Sequence, residues 1–108
     1  MANPYRGEVV LTVNGVPRAM RLTLGALAAL EARLESGSLL DMISRFETGS
    51  FRVRDLVSLL SAGLSGGGHP TTDEELLQCD IAGGPVAAAE AAARLLKLTF
   101  TLPGGDVE

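Results

Sequence analysis

The stretch Gly7-Glu8-Val9-Val10-Leu11-Thr12-Val13-Asn14-Gly15-Val16-Pro17-Arg18-Ala19-Met20-Arg21-Leu22-Thr23-Leu24 decides the fold class. Val9, Leu11 and Val13 alternate with Glu8, Val10 and Thr12, the period of a strand with one buried and one wet face. Asn14-Gly15 follows at once, and these residues readily take the positive φ angles of a two-residue type I′ turn. The return strand is predicted over about Val16 to Thr23, with Met20, Leu22 and Leu24 alternating against Arg21 and Thr23. Pro17 cannot donate to a ladder, which puts this strand at an edge. A hairpin over about residues 7–24 follows, and a lone hairpin needs another apolar surface to close on.

Residues 25–102 supply that surface as helices. Leu24, Leu27, Leu30 and Leu34 recur at helical spacing up to Gly37. Ser38 then caps a short helix carrying Leu39, Met42, Ile43 and Phe46, with Asp41 and Arg45 spaced as an i,i+4 pair and Gly49 as its stop. Phe51 to Val53 are expected to be briefly extended. Asp55 opens a further apolar rhythm, Leu56, Leu59, Leu60 and Leu64, closed by Gly66-Gly67-Gly68 as a loop or hinge. Thr72 and Glu75 form a capping box for a short helix bearing Leu76 and Leu77 and ending around Asp80. Pro85 fits the first position of an Ala-rich helix from Val86 to about Leu98, where Glu90 and Arg94 are again an i,i+4 pair. Thr99 to Leu102 favour extended backbone, and residues 103–108 are expected to fray. The expected fold is α+β: one domain, an N-terminal hairpin packed on four to five helices.

Composition narrows the function. Nine Lys and Arg against 13 Asp and Glu give a net charge of −4, unsuited to gripping nucleic acid through its phosphates. A single Cys and a single His supply neither a disulfide framework nor a four-ligand Cys/His zinc site, and no cofactor is indicated. The start lacks the apolar core of a secretory signal. The most apolar run, Val86 to Leu102, is broken by Glu90, Arg94 and Lys97, so no membrane span is expected and the cytoplasm is the expected compartment.

The chemistry-bearing residues are sparse. Gly66-Gly67-Gly68-His69 lacks the Lys and Ser/Thr of a phosphate-binding loop. His69 ahead of Pro70 and Cys79 beside Leu76 and Leu77 have no activating partner nearby in sequence, so no enzyme is expected. Asp73, Glu74 and Glu75 are explained by the dipole at a helix start rather than by a metal. Arg52 and Arg54, on one face of an extended segment, read by default as a solvated face, with a rim for an acidic partner as the alternative. Several short amphipathic helices, few aromatics and a small-residue face on the last helix suggest an apolar groove for a partner helix. The expected contact residues are Leu56, Leu60 and Leu64 on one helix, Ala88, Ala92 and Leu95 on the last, with Arg52 and Arg54 beside them.

The order of these pieces matches a known pattern. Arg6-Gly7-Glu8-Val9 with Asn14-Gly15, then Leu22-Thr23-Leu24-Gly25-Ala26-Leu27 running into Leu30-Glu31, resembles the gene transfer agent "gene ten" family, which is grouped with phage tail assembly chaperones. Asp55-Leu56-Val57 through Leu60, Ala62-Gly63-Leu64, Gly66-Gly67-Gly68-His69, Ile81 to Gly84 and Ala92-Ala93-Arg94-Leu95-Leu96 extend the resemblance over most of the chain. It implies a non-enzymatic, self-associating assembly chaperone. Such a protein binds the tape measure protein and other tail proteins, and shields the long helical tape measure before the tube closes around it. Proteins of this kind are also labelled tail tube proteins, so a structural tail tube or tail-completion subunit is the alternative. The resemblance carries over no catalytic residues.

Overall fold

The computed structural model describes residues 7–34 and 38–100. The hairpin forms as the alternation predicts: β1 (Val9–Val13) pairs antiparallel with β2 (Val16–Met20), from Val9 opposite Met20 to Val13 opposite Val16. Asn14 and Gly15 take φ of 51° and 80° at the turn. Val9, Leu11, Val13 and Met20 are buried on the inner face.

The return strand stops at Met20, earlier than expected. Arg21 leaves the ladder to donate its N–H to the carbonyl of Gly63 at 2.9 Å, and the Thr23 hydroxyl accepts from the Ala26 N–H at 3.1 Å as a helix cap. Leu24 therefore begins α1 (Leu24–Arg33) and lies exposed, while Leu30 and Leu34 reach the core. Next come α2 (Leu39–Thr48), capped by Ser38 and ended by a left-handed Gly49, and α3 (Val53–Gly66). The chain continues through α4 (Asp73–Leu77), with its capping box closed in both directions, to α5 (Gly84–Phe100). Every element contributes to one cluster of buried apolar side chains.

Three expectations about local structure are corrected. Residue 53 is helical, so Arg52 and Arg54 are not paired on an extended face; Asp55 sits buried in the first turn of α3, where negative charge is favoured and helix is preferred to strand. Thr99 and Phe100 continue α5, because the Thr99 hydroxyl donates to the Leu95 carbonyl at 2.7 Å and so fits a helix. The short helix ends at Leu77, not Asp80. Residues 80–82 instead run beside β1: Asn14 N–H donates to the Asp80 carbonyl, Asp80 N–H to Asn14 Oδ1, and Ala82 N–H to the Thr12 carbonyl. The expected pairs Asp41–Arg45 and Glu90–Arg94 form no ion pair, whereas Arg33 and Asp73, far apart in sequence, do. The expected fraying of residues 103–108 lies outside the described residues.

α3 is the central helix, and nine of its 14 residues are buried, including polar Ser58 and Ser61. Its glycines set how near it comes to the hairpin. A Cβ on Gly66 would overlap the carbonyl oxygen of Arg21, one on Gly67 that of Ala19, and one on Gly63 would lie 2.7 Å from Leu95 and 3.1 Å from Met20. Gly66 and Gly67 are thus a packing seam, whereas Gly68, with φ of 96°, has open space around it.

A second tie is polar. Asp73, at the start of α4, accepts from Ser58 Oγ at 2.7 Å, Ser61 Oγ at 2.5 Å and Arg33 NH1 at 2.8 Å, joining α1, α3 and α4. Burial pushes its carboxyl pKa up, but the hydrogen bonds from Ser61 and Ser58 and the charge of Arg33 outweigh this and hold it below 3.8.

Two predictions follow from these ties. Gly66→Ala or Gly67→Ala lowers unfolding free energy by about 1–3 kcal/mol or more through overpacking against backbone that cannot yield. Gly25→Ala, in α1, where an added Cβ meets only Thr23 Oγ1 at an ordinary 3.9 Å, is neutral or stabilising by up to about 0.5 kcal/mol; urea midpoints check the contrast. Asp73→Ala costs about 1–3 kcal/mol at neutral pH by stranding its donors. Because the folded pKa is depressed, this contribution is present above pH 3.8 and is lost as pH falls through the folded value, so unmodified protein and variant converge in acid denaturation.

Candidate partner-binding surfaces

The six apolar contact residues expected from the sequence all face inward. Leu56, Leu60 and Leu64 on α3 and Ala88, Ala92 and Leu95 on α5 are core residues, at 7% exposure or less. The physical reason is that α3 is surrounded, by α1, α4, α5 and the hairpin, so its leucines are already satisfied within the monomer. A partner docking on the closed fold does not reach them. Arg52 and Arg54 are exposed, but Arg54 is already engaged within the chain.

The concavities at the surface of the described residues include two of note. The first is a groove of ≈ 420 Å³ between α2 and α5. Ile43, Phe46 and Glu47 form one wall, and Ala93, Leu96 and Phe100 lie on the other with Lys97. Ser38 and Gly49 fix the ends of α2, which turns its apolar stripe toward α5. Met42 is fully buried there, whereas Ile43 and Phe46 are only partly covered. The Phe46 ring stacks on Phe51 with centroids 4.6 Å apart, which braces the loop after α2 against the groove wall. Phe100, at the end of α5, remains 42% exposed.

The second concavity, of ≈ 510 Å³, is more polar and lies between the hairpin turn and the segment entering α4. Arg18, His69, Thr71, Glu75 and Cys79 line it with Asn14. It brings together His69 and Cys79, ten residues apart and with no motif that links them. Arg18 NH1 lies 3.0 Å from His69 Nδ1. A guanidinium can only donate, so this ring nitrogen accepts and the ring proton sits on Nε2. The Cys79 thiol donates to the Glu75 carbonyl at 3.1 Å and accepts from Asn14 Nδ2 at 3.6 Å. Neither group is hydrogen-bonded to a base or nucleophile that it could activate.

Sequence reasoning missed the groove for identifiable reasons. The stripe of Ile43 and Phe46 was visible, but nothing local shows that part of it is left uncovered. Phe100 was expected in an extended segment, which removed it from the wall it shares with Ala93, Leu96 and Lys97. Among the described residues no group of three or more His, Cys, Asp or Glu side chains is placed to hold a metal ion. No described helix is long and apolar enough to cross a membrane.

No curated protein and no solved structure matches the chain. Residues 6–101 match the family described as phage tail tube protein, GTA-gp10, and with nearly its whole length inside that match the chain belongs to this phage tail family.

Proposed function

We propose that the protein is a tail assembly chaperone, which binds and shields the tape measure protein during tail morphogenesis and does not remain in the particle. The family's description as a tail tube protein names the rival reading, a subunit retained in the tail. One observation favours the chaperone: the chain itself takes part of each long edge of the hairpin. Residues 80–82 pair with the turn end of β1, from Thr12 to Asn14, and just past β2 the Arg21 N–H bonds the Gly63 carbonyl, with Gly66 and Gly67 close against the carbonyls of Arg21 and Ala19. A tube built from paired strands needs open edges, and this hairpin has less free edge to offer.

A concave apolar surface lies instead on helices, in the groove between α2 and α5. Such a groove suits an amphipathic helix. A tape measure exposes apolar helical surface until the tube encloses it, so a transient coat must cover that surface and later leave. In this reading the protein acts in the cytoplasm, self-associates on its long partner, and works by burial without cofactor or catalysis. The engagement of His69 by Arg18 and of the Cys79 thiol by Glu75 supports the non-enzymatic part.

Co-expression with the tape measure protein is expected to keep that protein soluble and to recover the two together. Mass spectrometry of purified tails is expected to find this chain absent. Recovery of the chain in tails at the copy number of a ring-forming subunit would establish the tube reading instead.

A further inference from the structure

The link between α4 and α5 crosses the outer edge of β1 near the hairpin turn. We propose that residues 80–82 of this link are a guard on that edge: while they are bonded to β1 the sheet does not grow, and when they lift, the freed edge pairs antiparallel with the same edge of a second copy. Such a device is independent of tape measure binding.

Which backbone groups point outward follows from the ladder. Pro17 lacks an N–H and stands opposite Thr12, and the Thr12 carbonyl accepts from outside the hairpin, from the Ala82 N–H at 3.1 Å. Antiparallel strands alternate, so Val10 and Thr12 turn their N–H and C=O groups away from β2, while Val9, Leu11 and Val13 turn theirs toward it. The guard uses only the turn end of this outer row. Asn14 N–H donates to the Asp80 carbonyl at 2.7 Å, and Asp80 N–H to Asn14 Oδ1 at 2.8 Å. Gly83 and Gly84, with φ of 85° and 71°, then take the chain off the edge into α5, and the Gly84 N–H returns to the Ile81 carbonyl. Among the described residues the Val10 N–H and C=O and the Thr12 N–H have no hydrogen-bond partner. Only the bond from Ala82 therefore keeps Val10 and Thr12 from presenting a complete set of donors and acceptors. The guard is also lightly held: Asp80 and Ala82 are exposed, and Ile81 is the residue that packs against the core.

The occupant follows from the edges a second copy can offer. β2 is a poor match, because Pro17 has no donor and α3 lies against the carbonyls of Ala19 and Arg21. Pairing β1 with another copy's β2, which would run on into a filament, is disfavoured. β1 against β1 remains. With Leu11 opposite the second copy's Leu11, Val10 exchanges both hydrogen bonds with the second copy's Thr12, and Thr12 does the same with its Val10. This contact is isologous and closes at two copies. It also sets the Val10 side chain, 41% exposed, against a β-branched Thr, a favourable cross-strand pair. Ala82 and the second copy both need the Thr12 carbonyl, so guard and dimer exclude each other.

The test uses the full chain alone. Asn14→Gly keeps the left-handed turn and removes the side chain that holds Asp80; Ala82→Pro removes the N–H that holds Thr12. In sedimentation equilibrium each is expected to lower the concentration at which dimers form about tenfold, the equilibrium worth of a hydrogen bond or two that no longer competes. Adding Val10→Pro, whose missing N–H lies on the outer edge and leaves the ladder to β2 intact, is expected to return either variant to the behaviour of the unmodified chain. Hydrogen exchange is expected to show the Val10 and Thr12 amides protected in the dimer. Should Ala82→Pro fail to fold, Asn14→Gly decides, and Val10→Lys stands in for Val10→Pro in the same event. Guard variants that associate no more than the unmodified chain overturn the inference. So does association that survives Val10→Pro, which places the contact elsewhere, and so does protection of Val10 and Thr12 in a chain that stays monomeric, which gives the edge to another segment of the same chain. Tape measure capture is not read in this experiment, so none of these results bears on the chaperone reading.

Discussion

The fold depends on a backbone-to-backbone approach between the end of α3 and the second strand. Gly66 and Gly67 bring the helix so near the hairpin that the carbonyl oxygens of Arg21 and Ala19 stand where their side chains would be. One turn earlier, Gly63 lets Leu95 and Met20 meet over the same seam, and its carbonyl takes the N–H of Arg21. The contact is steric and tolerates no intermediate geometry, since even one methyl group must displace backbone. It fixes where β2 ends and where Thr23 can cap α1. Leu59 and Leu64 of α3 are fully buried in the same core as the inner face of β1 and β2.

A second constraint acts at the other side of α3. The carboxylate of Asp73 gathers hydroxyl donors from Ser58 and Ser61 and a guanidinium from Arg33. Two serines on a buried helix would otherwise carry unmet polar groups, and an aspartate three-quarters covered would carry an unmet charge. Each removes the other's cost. The seam determines how close α3 lies to the hairpin, and the carboxylate determines how α1 and α4 close around it.

Local chemistry was legible where residues act on their immediate neighbours. Asn14-Gly15, Ser38, Gly49 and the Thr72 to Glu75 box specify turns and caps through bonds spanning two or three residues, and all stand where their types require. What could not be read depends on distant partners. Nothing near Asp73 in sequence distinguishes it from Glu74 or Glu75 as a simple first-turn acid, because its donors come from residues 33, 58 and 61. The glycines 63, 66 and 67 look like a loop until the strand they touch is placed. Likewise a leucine stripe shows which side of a helix is apolar but not how many neighbours compete to cover it. For α3 that number is high, so Leu56, Leu60 and Leu64 are core; for α2 it is low, so Ile43 and Phe46 stay partly open.

The same difference in coverage separates the two functional readings. A subunit that stays in a tube must give its neighbours a durable interface, for which strand edges are well suited because they offer repeated hydrogen bonds at fixed register. Here part of each edge is used internally: Ile81 and Ala82 pair beside the turn end of β1, and the end of α3 meets the chain just past β2. The described surface also holds a side-chain trough on helices, with two aromatic residues and an uncovered alanine. Contacts of that kind give no fixed ladder to extend. They can be made and released without disturbing the core, which is what a protein needs if it must hold an apolar helix during assembly and surrender it when the tube takes over.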